Sequence, residues 1–263
     1  MDVDRYGPWA VVAGGSEGVG RSFATQLAEA GIHLLLVARK PGPLEEAAAA
    51  CRKRGVEVRT LALDLTASDA VAQVAAAVAD VEVGLLVLNA GAATHGEEFL
   101  DGDLAAFQRD IDLNLTVPLA LIHHFARPMR ERRRGGILLV GSLAGYLGSS
   151  RHTVYGGVKA FGRIFAEGLW LELREHGVDV LELVLGVTRT PAMARVGLDF
   201  EVPGLAVAEP DDVAREGLER LPHGPVHIAG GNEASAAHRN HPDRARAVLG
   251  AHRLMEQLMK GSR

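Results

Sequence analysis

The sequence predicts an α/β fold: a doubly wound, parallel, seven-stranded sheet with helices on both faces, in a single domain spanning 1–263. Short β-rich runs alternate with helical stretches along the chain. Most of these runs are apolar throughout, which is typical of strands buried on both faces of a parallel sheet. The connections are short, and no Pro/Ser-rich linker divides the chain.

The elements follow in chain order. The predicted strands are 9–13, 32–38, 56–62, 83–88, 137–140, 178–185 and 226–228. The clearest helical patterns are 21–30, 43–54, 67–80, 104–132, 154–175 and 211–221. Segment 188–210 has no clear periodicity and carries three prolines, so we expect an irregular lid at the carboxyl end of the sixth strand. The tail, about 229–263, is rich in His and Arg and ends in a predicted helix, 242–260.

Composition and charge exclude several classes of protein. The chain has 28 basic and 33 acidic residues, a net charge of −5, so it is a poor non-specific binder of nucleic acid. The single cysteine, Cys51, excludes an intramolecular disulfide framework and a cysteine-based zinc site, and we expect no metal. The apolar runs are far shorter than the roughly 20 residues of a membrane helix, and no secretory signal precedes them. We therefore expect a soluble cytoplasmic protein with no membrane span.

A glycine-rich loop joins the first strand to the first long helix. Gly14, Gly18 and Gly20 would permit a tight turn and let a pyrophosphate approach the backbone N–H groups at the helix start. From its first to its last glycine, this motif is one residue longer than the usual dinucleotide fingerprint. The alternative is a glycine-rich turn that serves only the packing of the strand against the helix. The same residues match the G-x-S-x-G elbow of serine hydrolases, with Ser16 as nucleophile. Only eight residues precede this strand, which leaves no earlier strand for an oxyanion loop.

The end of the second strand carries a basic pair. Arg39 lies nineteen residues after Gly20 and is followed by Lys40. Asp or Glu at this place favours NAD, whereas Arg accommodates the 2′-phosphate of NADP. We therefore predict NADP(H) in preference to NADH, with a solvated basic pair at a strand end as the alternative.

A tyrosine and a lysine lie one helical turn apart at the start of a predicted helix. Tyr155 and Lys159 share a face of that helix, and Ser142 follows the fifth strand thirteen residues earlier. Such a pair alone is a weak signal. An ordered set is stronger, and here it comprises the glycine loop, Asp64, the run from Asn89 to Gly91, Asn114, Ser142, Tyr155 and Lys159.

This ordered set resembles the short-chain dehydrogenase/reductase family over nearly the whole chain, which implies a Rossmann-like fold. The resemblance implies a catalytic set of Asn114, Ser142, Tyr155 and Lys159. It implies cofactor-binding residues Gly14, Ser16, Glu17, Gly18, Val19, Gly20, Arg39, Asp64, Leu65, Asn89, Ala90, Gly91, Tyr155, Lys159, Val187 and Thr190. It also implies a homodimer or homotetramer.

Three positions depart from the family pattern. Ala13 replaces the leading Thr of the glycine loop, and Leu88 stands where the family often has Asn. Both positions usually help to tie the loop to the fourth strand. Leu185 replaces the usual Pro before Gly186, which removes a constraint on the turn beside the nicotinamide.

The resemblance implies hydride transfer between nicotinamide and a carbonyl carbon, with Tyr155 as acid or base. The pKa of a free tyrosine is about 10, and the positive charge of Lys159 would stabilise the phenolate. Ser142 would hydrogen-bond the substrate oxygen, and Asn114 would anchor a water beside Lys159. A nucleotide-sensing regulatory protein without turnover is the non-enzyme alternative.

The substrate pocket is predicted from position alone. We expect Leu143, Tyr146, Leu147, His152 and Met193 to line it, with His95 within reach. The lid also carries Val196, Leu198 and Phe200. An apolar lid favours a hydrophobic ketone, aldehyde or secondary alcohol, of steroid-like, fatty-acyl or aromatic type.

Overall fold

A computed structural model of the chain describes residues 1–91, 96–195, 197–201 and 206–260, with side chains through residue 253. Seven parallel strands form one sheet in the order β3-β2-β1-β4-β5-β6-β7. They are β1 (Trp9–Ala13), β2 (His33–Ala38), β3 (Val58–Ala62), β4 (Val83–Leu88), β5 (Gly135–Ser142), β6 (Val178–Leu185) and β7 (Val226–Ile228). The predicted sheet is confirmed.

Helices connect the strands. They are α1 (Val3–Tyr6), α2 (Gly18–Glu29), α3 (Pro41–Arg52), α4 (Ala70–Ala76), α5 (Leu104–Ile111), α6 (Val117–Arg132), α7 (Thr153–Leu173), α8 (Pro191–Arg195), α9 (Pro210–Arg220), α10 (Glu233–Arg239) and α11 (Arg244–Lys260). Short 3₁₀ turns follow β5 (Leu143–Tyr146), α7 (Arg174–His176) and α9 (Leu221–His223), and a π turn (Asp112–Thr116) joins α5 to α6.

Alternate residues of each central strand enter different cores. Val12 and Leu36 pack in the cluster that includes Phe23 of α2, whereas Val11 and Leu35 pack in the cluster that includes Leu121 of α6. All four strand residues are fully buried. Burial on both faces is the reason why these strands are apolar throughout.

The order of the strands fixes the position of the site. The chain moves outward from β1 to β3 and then returns to place β4 on the other side of β1. Ligands of open parallel sheets bind at such a reversal, outside the carboxyl ends of the strands. The glycine loop follows β1 and Asn89 follows β4, so both lie at this crevice.

The predicted helix 104–132 is wrong in one respect, because the π turn interrupts it. Pro118 has no N–H to donate to the carbonyl of Asn114, four residues earlier, so one hydrogen bond of a regular α-helix is missing there. Val117 instead donates to the carbonyl of Asp112, five residues back. π turns are frequent at functional sites, and this one contains Asn114.

Candidate active site

The glycine loop is too closely packed for side chains. Gly14 has a φ of 86°, and a Cβ atom there would lie 2.7 Å from the Ala90 nitrogen. A Cβ atom at Gly20 would lie 1.9 Å from the Gly14 carbonyl oxygen. Helix α2 begins at Gly18, and the side chain of Glu17 does not cap it. The backbone N–H groups of its first turn therefore suit a diphosphate, so this loop fits a nicotinamide dinucleotide.

Asn89 ties the loop to β4. Its side-chain Nδ2 donates to the Gly14 carbonyl at 2.9 Å, and its backbone N–H donates to the Ala13 carbonyl at 3.0 Å. Ala90 N–H donates to the same Ala13 oxygen at 2.7 Å. The loop is thus held to β4 even though Ala13 and Leu88 depart from the family pattern at this place.

The basic pair after β2 is exposed. In the described part of the chain, Arg39 and Lys40 form neither an ion pair nor a side-chain hydrogen bond. Nearby, Asp64 accepts hydrogen bonds from the Thr66 N–H at 3.0 Å and the Thr66 hydroxyl at 2.8 Å. These bonds, with a smaller contribution from Arg39, lower the pKa of the Asp64 carboxyl. Leu65, next in the chain, is buried.

Asn114, Gly91 and Lys159 meet behind the crevice. The Asn114 side chain donates to the Asp110 carbonyl at 2.9 Å, and its Oδ1 is buried without a hydrogen-bond partner among the described residues. A Cβ atom at Gly91, where φ is 151°, would lie 2.4 Å from that oxygen and 3.3 Å from Lys159 Nζ. Only glycine therefore leaves room between these two polar groups.

Helix α7 places Lys159 beneath Tyr155. The Lys159 Nζ lies 5.7 Å from the centroid of the Tyr155 ring and donates to the Val140 carbonyl at 2.9 Å. At the end of β5, Ser142 Oγ accepts the Ala144 N–H at 3.1 Å. The Ser142 hydroxyl hydrogen is thus left to donate to another group. The structure gathers the predicted residues of this set around the start of α7.

A small cavity of about 10 Å³ adjoins Tyr155. Its lining is Glu97, Phe99, Phe107, Asp110, Arg151, His152, Thr153, Val154 and Tyr155. Of the predicted pocket residues, His152 is here, whereas Leu143 packs with Val184 and Ala236, and Tyr146 borders that cluster. Phe99 and Phe107 were not predicted as pocket residues; their rings stack with centroids 5.5 Å apart. Their eight-residue spacing carries no signal that both would reach Tyr155.

The lid segment is pinned at its base. Ala208 N–H donates to the Val187 carbonyl at 2.9 Å, and Arg189 N–H donates to the Ala208 carbonyl at 2.9 Å. Between them, Thr190 Oγ1 accepts the Met193 N–H at 3.3 Å, and a Cβ atom at Gly18 would lie 3.0 Å from the Thr190 methyl carbon. The Thr190 side chain therefore lies directly against the glycine loop. His95, Val196 and residues 202–205 lie outside the described residues.

Arg195 of α8 makes a two-point ion pair with the glycine loop. Its Nη1 and Nη2 lie 2.8 and 2.9 Å from the two carboxylate oxygens of Glu17. Hydrogen bonding to Arg195 lowers the pKa of the Glu17 carboxyl. The lid and the loop are thereby joined across the crevice.

Nothing in the described structure equips Ser16 for hydrolysis. None of the described histidines hydrogen-bonds to its hydroxyl, so it lacks the base that a serine nucleophile requires. Within the same residues no group of three or more His, Cys, Asp or Glu side chains is placed to hold a metal ion. The described helices include none long and apolar enough to cross a membrane.

Comparison with known proteins identifies the family. The family model of short chain dehydrogenases matches residues 8–199. The chain is 31% identical over 228 residues to the 7beta-hydroxysteroid dehydrogenase of Clostridium sardiniense, covering 86% of this chain and 87% of that protein.

Two solved structures are similar over most of their length. A 7beta-hydroxysteroid dehydrogenase matches with a TM-score of 0.88 and 26% identity, covering 94% of this chain and 97% of that one. A short-chain dehydrogenase from Sphingobium yanoikuyae, in complex with NADPH, matches with a TM-score of 0.78 and 30% identity, covering 88% and 92%. This chain belongs to the short-chain dehydrogenase/reductase family and is an oxidoreductase acting on alcohols or ketones.

Proposed function

We propose that this protein is an NADP(H)-dependent oxidoreductase that interconverts a hydrophobic ketone and its secondary alcohol. One observation carries the proposal: Tyr155 and Lys159 lie one turn apart at the crevice, with the unpartnered Asn114 Oδ1 beside the lysine. These are the groups that moving a proton to and from a carbonyl oxygen requires.

Each residue has a role that its contacts allow. When bound, the nicotinamide supplies or accepts the hydride. Tyr155 donates its hydroxyl proton to the carbonyl oxygen in reduction and takes it back in oxidation. The ammonium of Lys159 stabilises the phenolate that Tyr155 becomes, and Ser142 donates a hydrogen bond to the oxygen as its charge grows.

The cofactor preference is proposed from the charges after β2. Arg39 and Lys40 are exposed and form no ion pair among the described residues, so both are available to a 2′-phosphate. The other residues of the proposed cofactor site suit NADH equally well, because NADH differs from NADPH only in lacking that 2′-phosphate. The NADPH complex of the Sphingobium yanoikuyae relative supports this choice.

The proposed substrate is a large apolar alcohol or ketone. Phe99 and Phe107 stack beside Tyr155, and Met193, Leu198 and Phe200 lie in the lid segment. Two similar proteins are 7beta-hydroxysteroid dehydrogenases, so a steroid-like molecule is the first compound to test.

We also propose that the protein is a homodimer or homotetramer. Phe161, Ile164 and Leu171 are 39%, 60% and 63% exposed and share one face of α7. Pairing this face with a second copy would bury it. Sedimentation velocity should show a dimer or tetramer, and a monomer at micromolar concentration would contradict this part of the proposal.

A thermal-shift comparison tests the cofactor assignment. NADPH should stabilise the wild-type protein more than NADH at equal concentration, because a tenfold difference in affinity is worth about 1.4 kcal/mol at saturating ligand. Arg39→Ala should weaken NADPH binding about 10- to 100-fold, the range for a lost charge-assisted contact, and leave NADH binding unchanged.

Lys53→Ala is the matched control. It removes one exposed positive charge at the opposite end of α3 from Arg39, and NADPH binding should stay as in the wild type. Equal stabilisation of the wild type by NADH and NADPH would contradict the assignment. An unaltered NADPH affinity in Arg39→Ala would do the same.

A further inference from the structure

A buried carboxyl lies behind the catalytic lysine. Glu182 is in the middle of β6, is 2% exposed, and its Oε2 has no hydrogen-bond partner among the described residues. An unpaired carboxyl at this depth is costly and calls for a physical explanation.

Two glycines make the space that the carboxyl occupies. A Cβ atom at Gly141 of β5 would lie 2.6 Å from Glu182 Oε1, and one at Gly162 of α7 would lie 2.9 Å from the same atom. Any other residue at either position would collide with the carboxyl or displace it. The site is therefore shaped from both the sheet and the helix to hold an acid.

A cavity connects this carboxyl to the active site. Its volume is about 30 Å³, and its lining includes Glu182, Lys159 and Asn114. A cavity of this size has room for about two water molecules. A short chain of water can thus link the Glu182 carboxyl to the Lys159 ammonium.

The charged side chains that face Glu182 do not form an ion pair with its carboxyl. On α7 these are Lys159, Arg163 and Glu167, of which the first two favour the carboxylate and the third opposes it. Neither cation is within ion-pair distance of Glu182 in the described part of the chain.

The other elements that pack against Glu182 add one titratable group. The guanidinium carbon of Arg163 lies 4.6 Å from the centroid of the Tyr146 ring, so its charge is directed at that ring. Tyr146 belongs to the turn after β5. The nearest residues of β5 and β7, Gly141 and Val226, are uncharged.

On the basis of the proposed function, we propose that Glu182 is a positioning residue. By gaining or losing a proton, it controls how much positive charge Lys159 presents to Tyr155. When Glu182 is protonated, the full charge of Lys159 favours the Tyr155 phenolate. When Glu182 releases its proton through the cavity water to solvent, its carboxylate offsets part of that charge and opposes the phenolate.

Burial supports this assignment by raising the pKa of Glu182 to about 7, against the opposing effect of Lys159 and Arg163. The group therefore changes charge in the physiological pH range. It is ionised in the alkaline range in which a tyrosine loses its proton.

Ultraviolet titration of tyrosinate tests the proposal without substrate or cofactor. The chain has three tyrosines, and burial raises the pKa of Tyr6 and of Tyr146. Subtracting the titration of the corresponding Tyr155→Phe protein isolates the Tyr155 signal. Glu182→Gln should lower the titration midpoint of Tyr155 by roughly half to one pH unit, because it removes a nearby negative charge.

Three further variants test whether the shift in the midpoint comes from the charge of Glu182. Glu182→Asp keeps the charge and should leave the midpoint within about 0.3 pH unit of the wild type. Glu167→Gln removes a negative charge from α7 at a position outside the cavity lining. It should move the midpoint by less than a third of the shift in Glu182→Gln. If Glu182→Gln does not fold, Glu182→Ala takes its place with the same expected shift.

An unchanged midpoint in the Glu182 variant overturns the proposal, and so does an equal shift in Glu167→Gln. Failure of the proposed oxidoreductase activity would be seen separately, as absence of NADPH turnover with a normal tyrosinate shift.

Discussion

At the scale of single residues, Glu182 couples the stability of the fold to pH. The pKa of its carboxyl in the folded protein, about 7, is above its ordinary value of 4.5 because the group is buried. Between these two values the folded protein holds a proton that the unfolded chain has released. Stability from this group is therefore full at low pH and falls as pH rises through 7.

Glu182→Gln should remove this dependence. The free energy of unfolding of the variant, relative to the wild type, should rise by about 2 kcal/mol between pH 5 and pH 8. Urea unfolding at the two pH values measures it. A difference that stays constant over this range would show that Glu182 ionises alike in the folded and unfolded states.

The sequence predicted some residues of the site and could not predict others. Tyr155, Lys159 and the glycines each belong to a short local pattern, and the order of these patterns along the chain made them recognisable. Glu182 is one acid within an otherwise apolar strand, and its environment depends on Gly141 and Gly162, at two distant places in the chain. A pattern of neighbouring residues in the sequence cannot indicate a contact between such distant positions.

At the scale of secondary-structure elements, α8 and the glycine loop are joined by one ion pair. Glu17 and Arg195 make two contacts of 2.8 and 2.9 Å. Both side chains are partly exposed, at 30% and 51%, so the pair is worth little to the stability of the fold. Because the pair joins α8 to the glycine loop across the crevice, we expect it to slow the departure of a bound cofactor.

Glu17→Gln should therefore speed NADPH release by about 2- to 5-fold at low salt, and less at high salt. Stopped-flow fluorescence of bound NADPH measures the rate. The Glu17→Gln/Arg195→Ala double variant should release NADPH no faster than Arg195→Ala alone, since the contact is already lost. Arg215→Ala, which removes an exposed ion pair on α9, is the control, and additive effects of Glu17 and Arg195 would contradict the coupling.

The helical pattern at 104–132 shows what periodicity omits. Apolar spacing predicted one continuous helix, and its two ends agree with α5 and α6. In the π turn between them, Val117 donates to the carbonyl five residues back, which changes hydrogen bonding without changing the apolar pattern. The sequence marked Asn114 through family resemblance, but the apolar spacing gave no sign of the turn that holds it.

At the scale of the whole molecule, the reversal of strand order gathers the site. The loop after β1, the π turn before α6, the end of β5 and the start of α7 all meet at the carboxyl edge of the sheet. The alternation of strands and helices predicted this architecture, since parallel strands separated by helices have few arrangements. The cavity beside Tyr155 combines side chains from distant loops, among them Glu97, Phe107 and Arg151, so the sequence could not predict its lining.

NADPH oxidation at 340 nm, in the presence of lipophilic ketones that include a 7-oxosteroid, tests the central claim most directly. The wild type should consume NADPH with at least one ketone, and Tyr155→Phe should reduce kcat by about 10²- to 10⁴-fold while still binding NADPH, because only the proton donor is lost. Tyr146→Phe, at the last residue of the 3₁₀ turn after β5, should retain activity. Turnover by Tyr155→Phe at the wild-type rate would contradict the account.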